Sequence, residues 1–215
     1  MDTKMAYTLR QTSPATQILT PKSDSTLPSY AITLRATGGF MNKKPHMAIT
    51  RQHDGMNYRC AEVRFENYGS GTSILYKDSG VSQILALESS LDQRYECLIQ
   101  GRSHRWYRLG SSRNVLELTS DIGDCIALFT YGSEVALTTG ARTGNKKHVK
   151  DKDIGELHIH GDGNGGVSAV EQVICSALAV IERAKRRAAN VGRQGSAYKQ
   201  GASCGITCNA YGGGL

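Results

Sequence analysis

The sequence predicts one mostly-β domain whose antiparallel strands close into a barrel around a single apolar helix near the C-terminus. Three observations carry this. Short apolar runs, bounded by Gly, Asn, Asp or Ser, recur between residues 30 and 160. One later segment, 170–181, is apolar around nearly its whole circumference. With 24 glycines against 4 prolines, the composition favours many tight turns over stiff linkers.

Taken in order, residues 1–28 are rich in Ser, Thr, Pro and Gln with few large apolar side chains, so a disordered lead-in is expected. Strand-like runs follow at 30–36, 46–51, 57–66, 72–76, 81–87 and 94–100, then at 103–109, 114–119, 124–131, 134–139 and 154–160. In the third run Tyr58 and Cys60, then Val63 and Phe65, alternate with a slip near Ala61, as a bulge would produce. Tyr95, Cys97 and Ile99 alternate cleanly, and Leu157 and Ile159 alternate with His158 and His160, placing both histidines on one face. Gly101-Arg102 and residues 121–124 are turn cues for hairpins, and residues 140–153 form a basic, apolar-poor loop. No period of 20–50 residues repeats, which excludes a solenoid or propeller.

The pattern changes once, after Gly165-Gly166. Ser168 and Glu171 fit a capping box, and an apolar helix follows over 168–190. Residues 182–187 put cations on its last turns, where the helix dipole favours them, and Gly192 is a stop signal. A helix apolar on every side needs apolar neighbours on every side. No second comparable helix exists, so the strands must surround it, and closing the sheet also removes its exposed edges. A membrane tail anchor is the competing reading of 167–181. That stretch is only 15 residues long and contains Glu171 and Gln172, short of the roughly 18 apolar residues of a span. The expected organisation is a lead-in over 1–28, a barrel domain over 29–190 and a flexible Gly/Cys-containing tail over 191–215.

At this point the chain resembles the tubby C-terminal-like superfamily, which includes LURP-one-related and phospholipid-scramblase-like proteins, and most nearly its fungal branch. The resemblance rests on Gly101 with Trp106-Tyr107-Arg108-Leu109, then Leu116-Glu117-Leu118 and Ile126-Ala127-Leu128-Phe129. It ends with Gly155-Glu156-Leu157-His158-Ile159 leading through a Gly-rich connection into 170–187. It covers 30–190, most closely 95–187. It implies a closed antiparallel barrel of about 12 strands threaded by a hydrophobic C-terminal helix. Some relatives bind phosphoinositides through basic surface residues, but no lipid site transfers residue by residue, and the fungal branch has no established activity to carry over.

The net charge of +7 is local. Residues 141–152 hold Arg142, Lys146, Lys147, Lys150 and Lys152 against Asp151, a net +4. Residues 182–199 hold Arg183, Lys185, Arg186, Arg187, Arg193 and Lys199 against Glu182, a net +5, which leaves −2 for the remainder. Each Lys or Arg near an anionic membrane contributes about 1 kcal/mol. Lys146, Lys147, Lys150, Lys152, Arg183, Arg186 and Arg187 are therefore the candidate headgroup ligands. Solvated charge that merely complements the helix end is the alternative.

Other constellations carry less. His158, His160 and Asp162 could supply three ligands to zinc or iron. Gly163 stands where a metallo-β-lactamase-like pattern needs His, and no Glu follows as a cupin-like site requires. Two polar residues on an outer barrel face explain the histidines without a metal. The glycine-rich stretch 161–166 lacks the Lys-Ser/Thr of a P-loop and the carboxylates of a calcium loop. Cys97 with His104, or Cys125 with His148, could be nucleophile pairs but lie in no signature context. Trp106 and Tyr107 among Arg102, Arg105 and Arg108 could stack on nucleic acid, though one such strand more often packs in a hairpin.

The N-terminal stretch lacks the apolar run of a signal peptide and the 6 cysteines form no dense framework, so reduced thiols in the cytoplasm are expected. Cys204 and Cys208 read as an oxidisable pair in the tail. The favoured expectation is a non-enzymatic intracellular binding or scaffold domain, without cofactor or membrane span, attracted to anionic phospholipid. A metal-dependent enzyme at His158, His160 and Asp162 is the alternative, and nucleic-acid binding through the same cations is the third.

Overall fold

The computed structural model describes residues 5–35, 45–65, 71–89, 94–109, 114–132, 152–160 and 166–201. The first six strands are β1 (Met5–Ser13), β2 (Thr16–Pro21), β3 (Ser29–Leu34), β4 (Met47–His53), β5 (Met56–Phe65) and β6 (Thr72–Tyr76). Then come β7 (Ser82–Ser89), β8 (Arg94–Ile99), β9 (Arg102–Arg108), β10 (Val115–Ser120), β11 (Cys125–Tyr131) and β12 (Lys152–Ile159), and finally α1 (Gly166–Gly201). Each strand pairs antiparallel with its sequence neighbours, and β1 pairs with β12, so the 12 strands form a closed barrel. This is the architecture the resemblance implies.

The alternation of the strands fills the lumen. Tyr7 and Leu9, Ile32, Val63, Ile74, Leu118 and Phe129 all turn inward and are fully buried. The helix completes the core: residues 173–184 are all buried, none more than 8% exposed. An unbroken buried run of twelve residues is possible only where wall surrounds the helix on all sides. Among the described residues no helix is long and apolar enough to cross a membrane.

Ten of the eleven expected strands correspond to β3–β12, with ends within two residues. The remaining one, 134–139, lies outside the described residues. The slip near Ala61 is a bulge: Ile49 faces Ala61 and Thr50 faces Arg59, leaving Cys60 as the extra residue. Cys60 and Ala61 therefore both turn inward, and Cys60 Sγ donates to Ile49 O at 3.4 Å.

Two expectations are corrected. Residues 5–13 and 16–21, expected as part of a disordered lead-in, are β1 and β2, and they close the barrel. Their inward set is small (Tyr7, Leu9, Gln17 and Leu19), and the outward Thr, Ser and Gln residues mimic the composition of a disordered segment. The helix also starts before Ser168 and passes Gly192, reaching Gly201. Glu171 does not cap its first turn. Its carboxylate turns to the wall, where Glu171 Oε2 accepts from Arg51 Nη1 at 3.4 Å.

Strand direction fixes the two ends of the barrel. The tight turns Asp54-Gly55 and Gln100-Gly101, whose left-handed backbone at both residues suits two-residue hairpins, lie at the end where β12 finishes and α1 begins. Here Gln100 N donates to Gln172 Oε1 at 2.8 Å. At the opposite end the helix leaves. Arg183 Nη1 donates to Gly71 O and, at 2.6 Å, to Thr72 Oγ1, and Arg186 Nη2 donates to Arg35 O at 3.1 Å. The connections after β3, β5, β7, β9 and β11 depart from this exit end.

Candidate functional site

The exit end gathers the described members of both basic clusters. Lys152 opens β12, exposed and paired in register with Gln11 of β1. Lys185 belongs to the second cluster. Burial pushes its ammonium below the usual lysine range, Glu182 partly offsets this, and the charge of Lys152 adds to the depression. Two lysines 33 positions apart in the chain thus come to one end of the barrel, Lys152 exposed and the Lys185 ammonium covered. Lys146, Lys147 and Lys150 lie outside the described residues. β11 ends and β12 begins at this same end.

The arginines of the helix are placed differently from the expectation of a surface patch. Arg183 is only 8% exposed and clamps the helix to the start of β6. Arg186 is half-buried. Its Nε donates to Glu182 Oε1 at 2.9 Å, and its guanidinium lies 4.6 Å from the centre of the Phe65 ring. Both are committed to holding the helix in the barrel mouth, because the helix is still inside the wall at this height. Arg183 is therefore corrected from a surface ligand to a structural clamp. Arg187 is half-buried, and its Nη1 is covered and without a hydrogen-bond partner among the described residues.

The alternative sites fare as follows. His158 and His160 share the outer face of β12. His158 Nε2 stands 3.3 Å from Glu156 Oε2, and Glu156 Oε1 accepts from Lys22 at 2.8 Å. This is an ion-pair ladder on the outer wall. Asp162 lies outside the described residues, among which no group of three or more His, Cys, Asp or Glu could hold a metal. Cys97 and His104 do face each other across β8 and β9. Burial nevertheless pushes the Cys97 thiol up to about 12, opposite to what a nucleophile needs. Burial and Glu117 hold Cys125 at about 11, and its partner in that pairing, His148, is outside the described residues. Trp106 is fully buried, with its Nε1 donating to Ser176 Oγ at 3.0 Å, so it offers no stacking platform.

At the entry end an open hollow of about 380 Å³ lies beside the Asp54-Gly55 turn, lined by Ser29, Gln52, His53 and Met56, away from the cations. Glu171 is the buried acid nearest this end. Burial raises its pKa, outweighing the hydrogen bond with Cys60 and the charge of Arg51. A carboxyl that binds its proton more tightly folded than unfolded stabilises most below the ordinary value of 4.5, and stability falls as pH rises above it. Glu171→Gln should therefore melt at a higher temperature than the parent at pH 7, with the difference shrinking as pH falls towards 4. A pH series of thermal unfolding checks this, and a difference independent of pH would contradict it.

Comparison with protein-family models, curated proteins and solved structures finds no match to this chain.

Proposed function

We propose that the chain is a tubby-like, non-enzymatic binding or scaffold domain of the cell interior, whose exit rim engages anionic phospholipid headgroups. The 12-strand barrel with one central helix fits the tubby-like fold, and that fit supports the family assignment. The observation that carries the function is convergence. Lys152, from the cluster over 141–152, opens β12 at the exit end, and Lys185, from the cluster over 182–199, stands with its ammonium covered between Arg183 and Arg186, which bond to the start of β6 and the end of β3 at that same end. Charges gathered on one rim act on one membrane patch, whereas the same charges spread over the wall would not.

Liposome co-sedimentation tests it. The full chain should bind vesicles containing phosphoinositide, and Lys146→Glu/Lys147→Glu should bind at least tenfold more weakly, from about 1 kcal/mol per cation. Equal binding by the two proteins, or none by either, would end the proposal. If RNA competes fully with the vesicles and binds with a steep salt dependence, the rim serves nucleic acid instead.

A further inference from the structure

Small side chains let the helix approach one side of the wall closely. Cys60 and Ala61 on β5 and Cys97 on β8 turn inward, and α1 comes within 8 Å of β5, β6 and β8 between Cα atoms. Cys175 meets Cys60 on this side, and both are free thiols. They are hydrogen-bonded to each other. That bond, followed by burial, raises the Cys175 pKa well above the usual thiol value, so Cys175 is the donor and keeps its proton. The S–H of Cys60 has two acceptors, Ile49 O at 3.4 Å and the Glu171 carboxylate. Glu171 stands four residues before Cys175, on the same helix face, and is itself held by Arg51 Nη1. A polar file thus runs inward from half-buried Arg51 through Glu171 and Cys60 to Cys175. The last three are 6%, 2% and 0% exposed.

Two thiols in contact join as a disulfide if one can become a thiolate and the backbone can close the remaining gap. The geometry supplies both. Cys60 is the extra residue of the β5 bulge and has no register partner on β4, so it can move towards the helix without breaking a paired position. Its proton has an acceptor in Glu171, and the Cys175 S–H aimed at its sulfur stabilises the charge left behind. Cys97, the third thiol on this side, hydrogen-bonds with Ser176 instead.

We infer that Cys60 and Cys175 are a redox pair that a peroxide-class oxidant joins into a disulfide, pinning the helix to the barrel wall. Cys60 gives its proton to Glu171, and its thiolate attacks one peroxide oxygen, breaking the O–O bond. The departing hydroxide takes the proton from Glu171 and leaves as water, and Cys60 becomes a sulfenic acid. The Cys175 sulfur then attacks the Cys60 sulfur. The S–S bond forms, the S–O bond breaks, and hydroxide leaves with the Cys175 proton as a second water. Two thiols have lost two electrons and one peroxide has gained them. The burial of both sulfurs makes the step slow and restricts it to a small uncharged oxidant. The pair is independent of the headgroup reading.

The test is exposure of the full chain to hydrogen peroxide, followed by thiol blocking, peptide mapping and thermal unfolding. A peptide pair linked through Cys60 and Cys175 should appear. The melting temperature should rise by about 5 °C or more and return on adding dithiothreitol, because the link closes the long loop from 60 to 175. Failure to find that pair, whether no link forms or the links join Cys175 to Cys97 or only Cys204 to Cys208, overturns the inference. A linked chain that melts no higher than the parent contradicts the pinning. In Cys175→Ala the shift should vanish and dimedone should trap Cys60 as its sulfenic acid, whereas Cys60→Ala should give no adduct at Cys175. The opposite labelling overturns the assigned roles. Glu171→Gln should form the link at least tenfold more slowly, and an equal rate removes Glu171 as the proton acceptor. Should Cys175→Ala fail to fold, the linked peptide pair in the parent chain decides.

Discussion

Trp106→Ala should lower the stability of the domain by about 4 kcal/mol and its melting temperature by roughly 10 °C, in the range for removing a buried aromatic ring from a chain of this size. Two losses combine. The ring is fully buried on β9 between its cross-strand partners Tyr95 and Leu118, so its removal leaves a void that the wall, fixed by ladders on both sides, cannot close. The Nε1 donor also goes, and with it the hydrogen bond to Ser176 Oγ on the helix. Ser176 still donates to Val173 O, so the hydroxyl is not orphaned. Trp106→Phe keeps most of the area and should cost only about 1–2 kcal/mol. The informative measurement is a cycle with Ser176→Ala. If the helix runs down the lumen, Trp106→Phe and Ser176→Ala are coupled by at least about 0.5 kcal/mol. Additive effects would mean that the two side chains never meet, and the enclosed helix would have to be given up.

The enclosed helix was legible because its pattern favoured enclosure over a membrane anchor: apolar residues all round over a stretch too short to span, no helical partner, and a run of strands on hand to form the wall. The strands of residues 30–160 were legible for a related reason. Their inward positions hold large apolar residues, as in Tyr95, Cys97 and Ile99, and even the two-inward slip at Cys60-Ala61 left a trace. β1 and β2 were hidden because the lumen accepts a polar residue there: Gln17 is 3% exposed, and the outward Ser and Thr are read as loop composition. Cations gave the weakest guide to the site. Arg183 and Arg186 are close in sequence, yet they diverge around the helix, one to β6 and the other to the ends of β3 and β5. A charge count cannot see that divergence.

Gly155→Ala should cost about 3 kcal/mol or more, although it adds a single methyl group. Gly155 sits where β12 is squeezed from both sides, facing Leu9 on β1 and Tyr131 on β11. Beside it the β1 ladder slips, so that Ile154 and Gly155 both turn inward. A Cβ at this position would collide with the carbonyl oxygen of Thr130 and stand 2.7 Å from Phe129 Cζ. The ring has little room to yield, because Phe129 packs edge-on against Tyr131 with centroids 4.9 Å apart. The Thr130 carbonyl belongs to the β11 backbone and cannot retreat without loosening the ladder to β12. Gly101 supplies the contrast: its left-handed turn position leaves open space where a Cβ would sit, and Gly101→Ala should cost only about 1–2 kcal/mol. Adding Phe129→Leu separates the two obstacles. If the backbone collision dominates, Gly155→Ala remains nearly as costly in that background, measured against Phe129→Leu by denaturant unfolding. Full recovery there would mean that the ring, not the ladder, demands glycine at 155.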